Sequence, residues 1–236
     1  MLKTEQNNPH HCFDVGHHSL AAVSHIQELY EEHKDAFSYT GWTEEKILTI
    51  LVYGALLHDV AKPDCRTVDE EGIHHFHGHP EAGAKKAKQI LRRLKFDNET
   101  IDRVVRLVRA HDVKIEPGER NMRFALNRLG PDLFPELFWV KEADLAAQSD
   151  YQREEKQEHL RKMQEDYEAV IASGACLTLK GLAVNGKDLI GIGMQAGRGL
   201  GDILQKLLEE VLEEPQRNTK EFLLEEARRI QVKGSF

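Results

Sequence analysis

The sequence predicts an all-α protein: a helical bundle with a short hairpin or lid insertion, followed by a smaller C-terminal helical unit. Apolar residues recur at helical spacing through most of the chain. Capping residues, glycines and prolines separate those runs. Only the stretch Asp64 to His77 reads as strand, with Arg66-Thr67-Val68 and Ile73-His74-His75-Phe76 flanking the turn Asp69-Glu70-Glu71-Gly72.

The first helix starts at Asp14, with Val15, Leu20, Val23, Ile26 and Leu29 at helical intervals and the charged run Glu31 to Asp35 closing it. His18 shares a face with Ala21 and Ala22, small residues that let another helix approach, whereas His17 points about 100° away. Only His18 is therefore expected to look inward. Thr43 caps the next helix, and Glu44 and Glu45 suit the positive end of its dipole. Its nearly continuous apolar content, through Ile47, Leu48, Leu51, Val52 and Leu56, marks it as central. It delivers His58 and Asp59 side by side, with Lys62 one turn on, and Pro63 is expected to stop it.

His74, His75 and His77 read as exposed loop histidines, but His79 precedes Pro80 and is expected to be fixed at a helix start. That helix runs from Pro80 to about Leu94 with Ala84, Ala87, Ile90 and Leu91 inward. Another, capped near Asp97 or Asn98, turns Ile101, Val104, Val105 and Val108 inward and ends, like the central helix, in a His-Asp pair, His111-Asp112. Further helices cover Asn121 to Leu129 and Leu133 to Ser149. In the latter Asp144 sits among alanines, where a carboxylate needs a partner. Tyr151 to Ser173 carries one stripe, Leu160, Met163, Tyr167 and Val170, suited to packing or to a homodimer.

Gly174 opens a second unit, dividing the chain into 1–173 and 174–236. Six glycines between Gly186 and Gly201 suggest a phosphate cradle, but neither a strand–glycine–helix context nor a Gly-Lys-Ser/Thr ending is present. A helix–turn–helix connection before the amphipathic helix Asp202 to Glu213 fits better. Residues 174–236 hold nine basic and nine acidic side chains, so the first unit carries the whole formal charge of −8. Such a charge argues against a basic nucleic-acid surface over the whole molecule and leaves local contacts, for example by Lys187 and Arg198. Cys12, Cys65 and Cys176 are odd in number and lack Cys-x-x-Cys spacing, so neither a disulfide framework nor a zinc knuckle is supported and free thiols are expected. No apolar run reaches membrane-spanning length and Met1 to Asn8 is too polar for a signal peptide, so no membrane association and a cytoplasmic location are expected.

Of thirteen histidines, all but His159 lie at or before His111, so the enrichment belongs to the first unit. His18, His58, Asp59 and Asp144 form a mixed nitrogen and oxygen set that suits a divalent metal, Mn, Mg, Ni, Co, Fe or Zn, with positions open for water and substrate. At such a site a metal-bound hydroxide attacks phosphorus while the ion draws charge from a phosphoryl oxygen. His79 and His111 either hold a second metal or contact phosphate and donate protons, and spacing leaves both open. Asp59 then serves catalysis as well as the metal; Lys62 offsets phosphate charge, and Arg120 and Arg123 are candidates for orienting substrate.

The order His18, His58-Asp59, Asp144 resembles the signature of the HD-domain metal-dependent phosphohydrolases, an all-helical superfamily. Asn7-Asn8-Pro9-His10-His11 and Asp14-Val15-Gly16-His17-His18 are similar to the start of the HD domain in bacterial tRNA nucleotidyltransferases, the CCA-adding enzymes. Phe76-His77-Gly78-His79, Leu107 to His111 and Ala143 to Gln148 continue the likeness, and Val184 to Ile190 with Glu214 to Asn218 resemble the RNA-binding tail of those enzymes. Gln195-Ala196-Gly197 stands where Lys-Pro-Gly is commoner, which removes a positive charge. The nucleotidyltransferase head of that family would precede residue 1, so this chain is not expected to add nucleotides by itself. The resemblance implies hydrolysis of nucleotide phosphate esters, phosphomonoesters or 2′,3′-cyclic phosphodiesters, with a nucleotide or RNA end as substrate. Its alternative implication is a tRNA-binding accessory subunit that works with a separate nucleotidyltransferase head.

Overall fold

Asp14 accepts a hydrogen bond from the His17 amide at 2.9 Å and so caps α1, Val15–Glu32. The structure, a computed structural model, describes residues 3–10 and 12–233; His11 of the Asn-Pro-His-His motif lies outside them. Thr43 caps α2, Glu44–Leu57, through the Lys46 amide. His58 occupies the position just after its last turn. Pro63 does not stop this helix: the helix has ended six residues earlier, and the proline stands in the first turn of the short α3, Lys62–Cys65. A proline costs nothing there, because the amide it lacks has no partner within the helix.

Strands β1, Thr67–Val68, and β2, His74–His75, pair antiparallel, with Thr67 opposite His75 and Val68 opposite His74. This is the predicted hairpin, inserted into a fold that is otherwise all-α. Helix α4, His79–Arg93, follows with Pro80 in its first turn, and α5, Asn98–Ala110, is capped by Asp97. The Asp97 carboxylate accepts from the amides of Glu99 and Thr100 and from the Thr100 hydroxyl; the hydroxyl and amide of Thr100, with Lys46 beside them, hold its pKa down to about 2. The cap therefore stabilises the fold above the ordinary carboxylate range and is lost as pH falls toward about 2. Asp97→Ala is expected to cost about 1 kcal/mol in denaturant titrations at neutral pH, with the difference from wild type shrinking at low pH. An equal cost at both ends of the pH range would contradict the cap.

Helices α6, Glu119–Leu129, and α7, Phe134–Ala146, come next, then α8, Arg153–Ala172. The tail holds α9, Gly186–Gly191, α10, Arg198–Glu213, and α11, Lys220–Lys233. Asn185 and Asp188 form a capping box that starts α9, the short helix ahead of the glycine-rich turn before α10. Helix α10 begins four residues before the predicted start, absorbing Gly199 and Gly201 in its first turn. Among the described residues no helix is long and apolar enough to cross a membrane.

The chain divides into two compact units, Met1–Lys114 with Asp132–Arg161, and Ile115–Pro131 with Lys162–Phe236. This differs from the 173/174 division read from composition. The reason is α6, which packs on α10 and sends the Arg123 guanidinium to the carbonyls of Leu212 and Glu213 at 2.7 and 3.0 Å. In the second unit Leu182, Leu189, Leu207, Val211 and Leu223 form the core.

In the first unit α1, α2 and α7 pack on one another around Ala22, Ile26, Leu51 and Ala143, and α5 packs on α2, α4 and α7. Gly54 lets α2 come close: a Cβ there would stand 3.2 Å from Leu107 and 3.3 Å from Val140. Between α5 and α7 the buried Arg103 donates to Glu136 at 2.8 and 3.0 Å and also meets Asp132. Burial raises the Glu136 pKa while Arg103 opposes that shift.

Candidate metal centre

Helix ends, and one residue within each of two helices, bring six side chains of the first unit together. His58 follows α2, Asp59 comes next, His79 opens α4, and His111 follows α5. His18 points in from α1 and Asp144 from α7. His18, His58, Asp59 and His111 are at most 4% exposed and His79 is 7% exposed, while the Asp144 side chain keeps 23% of its surface. His17 behaves as its place on the helix predicts: it is exposed and pairs with Asp14 at 2.7 Å.

Each of the four histidines sends Nδ1 to a backbone carbonyl: His18 to Ala147 at 3.1 Å, His58 to Ala55 at 2.6 Å, His79 to Phe76 at 2.8 Å and His111 to Val108 at 2.7 Å. A carbonyl only accepts, so the proton sits on Nδ1 and Nε2 carries the lone pair of the neutral ring. The four Nε2 atoms converge in two pairs, His18 with His58 and His79 with His111, each at 3.2 Å. Asp59 lies between them. Its Oδ2 is 3.2 Å from His58 and 3.6 Å from His18, and its Oδ1 is 3.3 Å from His79 and 3.6 Å from His111. Asp144 Oδ1 joins the first pair, 2.9 Å from His18 and 3.6 Å from His58.

Two triads result, His18-His58-Asp144 and Asp59-His79-His111, each with ligand atoms within 4.8 Å of one another. Two facing lone pairs at 3.2 Å repel unless a cation or proton lies between them, so the donor set fits divalent ions. Asp59 Oδ2 fits the same demand: it is buried without an aligned hydrogen bond, although Lys62 Nζ stands 2.7 Å away off that direction. Burial opposes charge on His58, yet Asp59 and Asp144 outweigh it and push its pKa up to about 10. Both carboxylates in turn lie well below their ordinary range against the pull of burial, Asp59 through His58 and Lys62 and Asp144 through His18 and His58. His111 moves the other way, lowered by burial and by the neighbouring His58 and His79.

Outside the triads, Lys62 is buried and bridges Asp59 to Gln6, whose Oε1 accepts at 2.8 Å. Gln148 donates to Asp144 Oδ2 at 3.2 Å and is itself held by Lys156 at 2.9 Å. Lys141, one turn before Asp144, donates to the carbonyls of His111 and Val113 at 2.6 and 3.0 Å, and burial lowers its pKa. Sequence reasoning passed over Gln6, Gln148 and Lys141 as supports. Lys141 and Gln148 had a signal, each on the same face of a mostly apolar helix as Asp144, three residues before it and four after it. Arg120 and Arg123 are not among the groups brought together. Both belong to the second unit, where Arg120 pairs with Glu213 at 2.6 Å and Arg123 holds the two carbonyls at the end of α10. Asp112, second in its His-Asp pair, is exposed, unlike Asp59.

Residues 70–227 match the family model for tRNA nucleotidyltransferase domain 2. Among curated proteins, the chain is 34% identical over 212 residues to the CC-adding tRNA nucleotidyltransferase of Thermus thermophilus, covering 89% of this chain and 43% of that protein. It is 33% identical over 123 residues to the A-adding tRNA nucleotidyltransferase of Deinococcus radiodurans, covering 49% of this chain and 28% of that protein. The chain thus spans less than half the length of these relatives. Because the family model takes in well over half of its residues, the chain belongs to the tRNA nucleotidyltransferase domain 2 family.

Proposed function

We propose that this chain acts on the ends of tRNA or on nucleotides related to them, and that its His/Asp centre is an HD-type site hydrolysing nucleotide phosphate esters with divalent metal. One observation carries the hydrolytic part: four imidazoles, each held through Nδ1 by a carbonyl, turn their Nε2 atoms toward the two oxygens of Asp59. What a divalent ion supplies at such a site is polarisation of a phosphoryl oxygen and activation of water. The chain's own groups do the rest. Asp59 and Asp144 provide the negative charge that retains a cation, and the partly exposed side of Asp144 leaves that triad open to solvent. Lys62 Nζ, fixed between Asp59 and Gln6, places a positive charge where a phosphate approaches. In this reading His79 and His111 either complete a second metal position or hold a proton at Nε2 for the leaving oxygen.

The comparisons support the tRNA side of the proposal, and the relatives' names speak of adding nucleotides rather than of hydrolysis. They favour a second reading, a tRNA-binding subunit that works with a separate nucleotidyltransferase head. The two readings separate by experiment. With Mn or Ni, the chain is expected to hydrolyse members of a panel of 2′-nucleotides, other nucleoside monophosphates and 2′,3′-cyclic phosphates. No turnover with any metal across the panel would sink the hydrolytic reading. The second reading expects tRNA binding that weakens steeply with salt, and a gel shift absent at every salt concentration would remove the tRNA role.

A further inference from the structure

Beside the metal centre lies a cavity of about 450 Å³, within the range of small-molecule sites. Its walls are the segment Asn8 to His10 and the hairpin from Ile73 to Gly78, and its lining includes Lys62 and His79. It therefore reaches residues of the centre itself. Asp112 is the one carboxylate among the lining residues, which otherwise present imidazoles and the Lys62 ammonium, a balance that suits an anionic ligand.

The hairpin wall is ordered by specific contacts. Asp69 Oδ1 accepts from the amides of Glu71 and Ile73 and shapes the turn, and its Oδ2 holds His75 Nε2 at 2.7 Å. With His75 fixed, the ring of His77 lies parallel to it, centroids 5.7 Å apart and planes 5° apart. His77 is exposed, so this short stack ends in an open aromatic face. The hairpin is also tied to the other wall, because Asn7 accepts from the His74 amide at 3.1 Å and donates to the Gly72 carbonyl at 2.8 Å.

We infer that this cavity receives one nucleoside phosphate unit, its phosphate beside Lys62 and His79 and its base stacked on His77. The inference rests on the hydrolytic reading only for what becomes of the phosphate. The ligand is a free nucleotide or the terminal nucleotide of an RNA strand, and both present the same base and phosphate. Stacking of a base on an aromatic side chain is worth about tenfold or more in affinity.

Calorimetric titration of the intact chain with adenosine 2′-monophosphate and with inorganic phosphate tests the assignment. Wild type is expected to bind the nucleotide about tenfold more tightly than phosphate. His77→Ala, a change at an exposed position, is expected to abolish that advantage while leaving phosphate affinity unchanged. Asp69→Asn, which loosens His75, is expected to reduce it in part. A short oligoribonucleotide ending in the same nucleotide identifies the source, according to whether it or the free nucleotide loses more affinity in His77→Ala. Equal affinity for nucleotide and phosphate in wild type, or an unchanged ratio in His77→Ala, overturns the inference. Selective binding without hydrolysis leaves the pocket standing and removes the hydrolytic reading; hydrolysis without base preference does the reverse.

Discussion

An Asp59→Asn variant is expected to lose tight metal binding at both triads and, on the proposed hydrolytic reading, turnover of phosphate esters with it, whereas Asp144→Asn is expected to weaken one triad only. The asymmetry follows from geometry, since Asp59 offers one oxygen to each pair of histidines and Asp144 offers one oxygen to a single pair. Loss of an outer-shell partner costs 10–100-fold in metal affinity, so the direct loss of Asp59 is expected to exceed about 100-fold. Metal content per chain after dialysis, with circular dichroism as a check on folding, decides the matter. Full metal content in Asp59→Asn, or an equal loss in both variants, would contradict the shared role of Asp59.

The second large effect is structural. Glu136→Ala is expected to destabilise the protein by about 3–5 kcal/mol, because it strands the buried Arg103 guanidinium between α5 and α7. For a chain of this size that corresponds to a fall in Tm of roughly 10 °C. Replacing both members of the pair with apolar residues of similar volume is expected to cost much less, since no uncompensated charge then remains. Thermal melts of the single and double variants test this, and a single variant that melts with wild type would show that Asp132 alone suffices for Arg103.

The sequence and the structure agree where the information is local. Which of His17 and His18 turns inward follows from helical rotation, and the caps at Thr43 and Asp97 follow from hydrogen-bonding chemistry at helix starts. The alternation of Thr67-Val68 with His74-His75 about an acidic turn was also readable as a hairpin. Agreement fails where a residue's role depends on what the chain later brings against it. Pro63 looks like a stop signal until α2 is seen to end at Leu57. Arg120 and Arg123 have the chemistry of phosphate ligands, and where α6 packs on α10 they also meet Glu213 and the α10 carbonyls, partners that spacing does not name. Gln6 shows no periodic signal at all, and its value comes only from Lys62 reaching it across 56 positions of sequence. The way Asp59 divides its two oxygens depends on a side-chain rotation that spacing does not encode.

The histidine anchors differ in reach, and this bears on how the centre assembles and ages under mutation. His58, His79 and His111 each bond the carbonyl three residues before them, so their ring orientation is written into one turn of chain. His18 alone depends on a distant carbonyl, that of Ala147 at the end of α7. Three imidazoles are thus aimed by their own turn of chain, and the fourth only by the docking of α1 against α7. Substitutions that loosen α1 against α7 will misdirect His18 first and erode the His18-His58-Asp144 triad while the other survives. The centre thereby contains a hardy half and a half that reports on the packing of the bundle.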